Sequence, residues 1–187
     1  MTRRTTNTLL CDVFTTPDGN MLTIEDPGAA GHAGTYVHAD LDSGTALEPL
    51  RALWVHTMGA HECDQTGRRV RVRVLAGTDR LGLGTLVFDG QLTIGSGILA
   101  IGDARSPDRH LLVGPPSTVN VSVFAEYVVE LLHFEDPDVG YPVSGPSDIT
   151  VLLGGDPGIT YIGPGTERPW WRRLGRWKSA PRRGRLR

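Results

Sequence analysis

The run Arg69-Val70-Arg71-Val72-Arg73-Val74 alternates cation and valine without a break. A period of two puts one set of side chains on each face of an extended chain, so this stretch can bury one face only as a β-strand. The same alternation recurs. Met21, Thr23 and Glu25 interleave with Leu22, Ile24 and Asp26, and Thr118, Asn120 and Ser122 interleave with Val119, Val121 and Val123. Turn signals stand beside these runs: Asp18-Gly19, Asp89-Gly90, Gly95-Ser96-Gly97, Pro115-Pro116 and Gly145-Pro146. With 24 Gly and 13 Pro, long helices are not expected. Leu47 to Thr57 and Ala125 to Phe134 fit either a short helix or a buried strand; strand is favoured, because Val128, Val129, Leu131 and Leu132 form a run flanked by breakers. The pattern predicts an all-β, mainly antiparallel β-sandwich with a short basic C-terminal helix or tail.

The chain also matches itself at an offset of 77 positions. Thr16 meets Thr93, Leu22 meets Leu99, Ile24 meets Ile101 and Asp26 meets Asp103. The same shift sets Val72 on Ile149, Val74 on Val151, Leu75 on Leu152, Gly77 on Gly154 and His56 on His133, with no gap between blocks. This reads as a tandem duplication over about 9–80 and 85–160 within one domain, 1–165. Each half is expected to form an apolar layer that its copy covers, with Leu22, Ile24, Leu99 and Ile101 pointing inward.

SGILAIGDA at 96–104, VGPPSTVNVSVFAE at 113–126 and GYPVSGPSD at 140–148 follow one another in an order that resembles a family of uncharacterised bacterial domains. That family runs S-G-x-I-x-x-x-D-P, then V-P-P-G-x-Y-x-V, then G-Y-P-V-D-A-G-T-G. Here Ala104 stands where the family has proline and Ser144 where it has an acid; the first half keeps only Glu25-Asp26-Pro27. The resemblance implies a β-rich fold and no chemistry.

Candidate reactive groups are few. His56 to Asp64 gathers His56, His61, Glu62, Cys63 and Asp64, but the spacings of zinc knuckles are not met and the segment reads as a polar loop. Asp26 and Asp103 follow equivalent strands; brought together with nearby histidines they would serve a small hydrolase, and kept apart they cap turns. Gly95-Ser96-Gly97 lacks the nucleophile-elbow pattern, and Gly163-Pro164-Gly165 and Gly82-Leu83-Gly84 lack the residues of a phosphate loop. Cys11 and Cys63 read as two reduced, partly buried thiols. No metal, cofactor or catalytic residue is expected. The apolar run Leu9 to Phe14 is interrupted by Asp12, which argues against a signal peptide, and no stretch is long enough to span a bilayer. A cytoplasmic location is the expectation.

Charge is divided unevenly. Residues 166–187 carry nine of the 19 Lys and Arg with the single acid Glu167; residues 1–165 carry 10 basic against 20 acidic residues. The overall charge of −2 therefore hides a body near −10 and a tail near +8. Trp170, Leu174 and Trp177 fall on one helical face, with Trp171, Arg172, Arg173 and Arg176 around it. These tail residues are the expected partner-binding set, suited to the chain's own acidic body, to a protein, or to an anionic membrane or nucleic acid surface. The leading functional expectation is a non-enzymatic protein-binding module, of the immunity or inhibitor type. The alternatives are a structural subunit anchored by its tail, and the hydrolase.

Overall fold

Alternating valines become strands because each strand has a second layer to bury them against. The structure is a computed structural model that describes residues 6–29, 34–39, 44–45, 48–103, 108–133 and 140–166. In chain order its elements are β1 (Thr8–Thr15), β2 (Met21–Glu25), β3 (Thr35–Val37), β4 (Gly44–Thr45), β5 (Ala52–His56), α1 (Ala60–Thr66), β6 (Val70–Gly77), β7 (Thr85–Ile94), β8 (Ile98–Gly102), β9 (Asp108–Val113), β10 (Ser117–Glu126), β11 (Leu131–His133), β12 (Gly140–Pro142), β13 (Asp148–Gly154) and β14 (Thr160–Thr166). A short 3₁₀ turn, Pro27–Ala29, follows β2. Sheet I has the order β1-β6-β13-β10-β7-β4 and sheet II the order β14-β9-β8-β2-β5-β3, while β11 and β12 form a separate hairpin.

One apolar core joins the two sheets. Sheet I contributes Val70, Val72, Val74, Val119, Val121, Val123, Ile149 and Val151; sheet II contributes Leu22, Ile24, Leu53, Val55, Leu99 and Ile101. The all-β expectation holds, as do the inward positions of Leu22, Ile24, Leu99 and Ile101. Most pairings are antiparallel, but β6–β13, β3–β5 and β4–β7 are parallel. Cys11 and Cys63 are both buried and unbridged. Burial pushes the Cys11 thiol up to about 11.

Residues 77 apart are direct neighbours in both sheets. In sheet I, β6 and β13 run parallel with Val72 beside Ile149, Val74 beside Val151, Leu75 beside Leu152 and Gly77 beside Gly154. In sheet II, β2 and β8 cross antiparallel with Ile24 opposite Ile101. The first relation is a sideways translation, the second a local dyad normal to the sheet. A single rigid rotation cannot generate both.

The expectation that each half forms one layer does not hold. Among the described residues each sheet takes three strands from either half: β1, β6 and β4 with β7, β10 and β13 in sheet I, and β2, β5 and β3 with β8, β9 and β14 in sheet II. The physical reason lies in two connections. The chain leaves sheet I for sheet II after β1, over residues 16–20, and again after β7, at Gly95-Ser96-Gly97. Gly97 has φ 74°, and a Cβ there would lie 2.7 Å from the Gly114 carbonyl oxygen, so this tight crossing requires glycine. Each half is thus stitched across the core, and neither could close a layer alone.

Two local readings also change. Ala125 to Phe134 is not one strand: β10 ends at Glu126, and β11 begins at Leu131. The polar loop expected over residues 56–64 contains α1 instead, the one α-helix among the described residues. Glu62 returns to accept the Gly59 N–H at 2.9 Å, and Gly67 closes the helix at φ 64°.

Candidate functional site

The two carboxylates that close equivalent strands do not meet. Continuing the β2–β8 register places Asp26 opposite Leu99 and Asp103 opposite Leu22, at opposite ends of the pair. Four residues of strand separate those ends, roughly 13 Å. Asp26 instead organises the turns around it. It accepts the Gly28 N–H at 2.9 Å, the Ser96 N–H at 3.0 Å and the Ser96 hydroxyl. Burial alone would raise its pKa, but these hydrogen bonds outweigh it and hold the carboxyl below its ordinary value. Asp103 accepts the Asp18 N–H at 2.6 Å, tying down the connection from β1 to β2. These are turn-capping roles, and no shared proton can pass between the two groups.

His56 and His61 also part company. His61 lies exposed on α1, with Nε2 3.1 Å from Gln65 Nε2. Cys63 points into the core, and Glu62 turns toward the loop before β13. There Glu62 Oε2 accepts the Ser144 hydroxyl at 2.8 Å, while Asn20 Nδ2 donates to Ser144 Oγ at 2.6 Å. Asn20 itself sits in the left-handed region at φ 56°. Desolvation pushes Glu62 up, yet the hydrogen bonds from Gly59 and Ser144, with the field of His56, leave its pKa below the ordinary value. Gly145 then seats against the end of β5: a Cβ there would lie 2.5 Å from the Thr57 carbonyl carbon. This junction clamps three chain segments together. Among the described residues no three of His, Cys, Asp and Glu form a metal-binding group.

His56 belongs to a different arrangement, which sequence reasoning missed. Tyr36-Val37-His38 and Trp54-Val55-His56 repeat the order aromatic, valine, histidine. Strands β3 and β5 run parallel with Tyr36 beside Trp54 and Val37 beside Val55. Both valines enter the core, and the rings fall on the outer face of sheet II. His38 and His56 stack with centroids 4.2 Å apart and planes 19° apart. Tyr36 lies 6.4 Å from the His56 ring. Met21, opposite His56 on β2, extends the row. Tyr36 is 46% exposed and Met21 36%. Beyond Trp54 on the same face, Arg109 pairs with Glu25. The repeated tripeptide was visible in the sequence; its side-by-side placement depends on a parallel pairing between strands 18 residues apart.

The tail residues Trp170, Trp171, Arg172, Arg173, Arg176 and Trp177 lie outside the described residues. No described helix is long and apolar enough to cross a membrane. Comparison of the chain with family models, with curated proteins and with solved structures gives no match.

Proposed function

We propose that this chain is a non-enzymatic protein-binding module whose contact surface is the outer face of sheet II. The carrying observation is the doubled aromatic-valine-histidine row, which places Tyr36, Trp54 and two imidazoles on one face. Rings of this kind contribute large contact area at small entropic cost, and aromatic residues are enriched at protein interfaces. The separation of Asp26 from Asp103 counts in favour of this reading over the hydrolase alternative. The acidic excess over 1–165 favours a basic partner, as an immunity or inhibitor role would require.

A second reading, a structural subunit anchored by its basic tail, draws on one feature. Strand β14 is the edge strand of sheet II and ends at Thr166, where the tail begins. The tail would leave from a sheet margin toward a protein or an anionic membrane or nucleic acid surface. The offset-77 match in the sequence is the support for a duplication of the chain, whose halves would be interleaved rather than layered.

The test is affinity capture from the native cell with three baits: the intact chain, a Tyr36→Ala/Trp54→Ala variant, and a chain ending at Thr166. A partner retained by the intact chain and the truncated chain but lost from the double variant is the expected result. Retention by the double variant with loss on truncation would move the assignment to the tail.

A further inference from the structure

The outer face of sheet I holds an open groove of about 370 Å³ whose floor is set by a pair of glycines. Gly77 and Gly154 are cross-strand neighbours on β6 and β13, and neither leaves a side chain standing on that face. Both are closely approached by neighbouring asparagines. A Cβ on Gly77, at φ 152°, would lie 2.2 Å from Asn7 Oδ1, and one on Gly154 would lie 2.9 Å from Asn120 Cβ. One wall rises from the connection between β6 and β7. Asn7 clamps that wall by donating to the Asp79 carbonyl at 2.6 Å and accepting the Asp79 N–H at 3.0 Å.

The opposite wall is a ladder of paired polar side chains on β7 and β10. Ser122 Oγ donates to Asp89 Oδ1 at 2.7 Å, and Gln91 Nε2 donates to Asn120 Oδ1 at 3.1 Å. Thr93 and Thr118 hydroxyls stand 3.1 Å apart on the next rung. Arg80 spans to Asp89 with two bonds, at 3.1 and 2.7 Å.

This chemistry selects among ligand classes. The Arg80 guanidinium and the Asp89 carboxylate neutralise each other, so the groove offers no net charge to an anion or a cation. What remains is neutral and mixed. The Gln91–Asn120 bond uses one donor of Gln91 and one acceptor of Asn120. Gln91 Oε1 and Asn120 Nδ2 are therefore left as an acceptor and a donor on paired residues of one rung, with Asn120 Nδ2 3.5 Å from the Gly154 Cβ position. Adjacent hydroxyls satisfy such a pair, since each is donor and acceptor at once. Leu152, buried under Leu83, closes the groove at one end and offers little apolar surface of its own. The volume lies in the range of small-molecule clefts, about 300–1,000 Å³.

We propose that this groove binds a neutral polyhydroxylated ligand, a mono- or disaccharide or similar polyol, through Gln91 and Asn120 over the Gly77–Gly154 floor. The site is remote from the sheet II face and independent of the protein-binding role. It is tested by titrating the isotope-labelled chain with glucose, N-acetylglucosamine and maltose, and separately with inorganic phosphate, while recording amide NMR spectra that include side-chain NH₂ signals. The expected result is a saturable shift of the Asn120 and Gln91 NH₂ signals and the Gly77 and Gly154 amides with at least one sugar. Gln91→Ala and Asn120→Ala should each weaken binding by roughly fivefold or more, the loss of about one hydrogen bond. The same spectra report whether each variant is folded, and Gln91, being exposed, tolerates truncation if Asn120 does not. Absence of saturable shifts with all three sugars, equal affinity in a folded Gln91→Ala variant, or shifts produced by phosphate centred on Arg80 would each overturn the assignment.

Discussion

The outer faces of the two sheets are built from the same alternation and end in opposite states. On sheet I outward charged side chains pair with one another. Arg71 forks onto Asp12, Arg68 holds Asp148, and Arg73 reaches Glu126. Between these ions and the polar ladder, Phe124 and Leu152 are roofed by Leu83 from the β6–β7 connection, with Leu75 and Leu86 packed alongside. On sheet II the rings of Tyr36, His38 and His56 lie against one another with Trp54 on the same face, and all four remain partly open. The difference teaches where contact area is left over. A face whose charged groups pair with one another offers little apolar area to a protein partner, whereas one that leaves rings partly exposed keeps such area for an interface.

The strongest way to break this contrast is to unroof sheet I. Phe124→Ala should cost about 3–5 kcal/mol in urea unfolding, because a buried ring is lost from a small closed cluster. If Phe124→Ala costs no more than Tyr36→Ala, sheet I is not sealed as described. Next comes the junction that fixes the end of β5. Gly145→Ala forces a Cβ against the Thr57 backbone and should destabilise by about 1–3 kcal/mol. NMR shifts should change at His38 and His56 before they change on β7 and β10.

Glu62→Ala should remove about 1–2 kcal/mol through the lost bonds to Gly59 and Ser144. Its pH dependence is directional. The folded carboxyl titrates below its ordinary value of 4.5, so its stabilisation is complete at neutral pH and is lost as pH falls from about that value through the folded pKa. The stability gap between parent and variant should therefore close on acidification, as read by thermal unfolding from pH 7 downward; a gap that widens would contradict the hydrogen-bond assignment. The smallest effect belongs to the open face: Tyr36→Ala should stay within about 0.5 kcal/mol of the parent. A large loss there would show Tyr36 to be part of the fold rather than of an interface.

Much of the fold was legible because burial on one face imposes a period of two. The valines of β6 and β10 and the leucine and isoleucine of β2 and β8 were readable as core from spacing alone. Helix α1 was not, since seven residues carry too little periodicity to outweigh the polar composition of residues 56–64; Gly59, Glu62 and Gly67 were its available signals. Asp26 and Asp103 were recognisable as turn residues, but their separation required the antiparallel register of β2 and β8.

The sequence by itself determined which residues face inward and where the chain turns, because those depend on neighbours one to four positions away. Tertiary structure alone decided that the halves interleave, that Gly77 and Gly154 lie side by side, and that two aromatic-valine-histidine segments form one surface. Strand pairing is a long-range choice among edges with similar local patterns, and it is settled by which arrangement buries every apolar face at once.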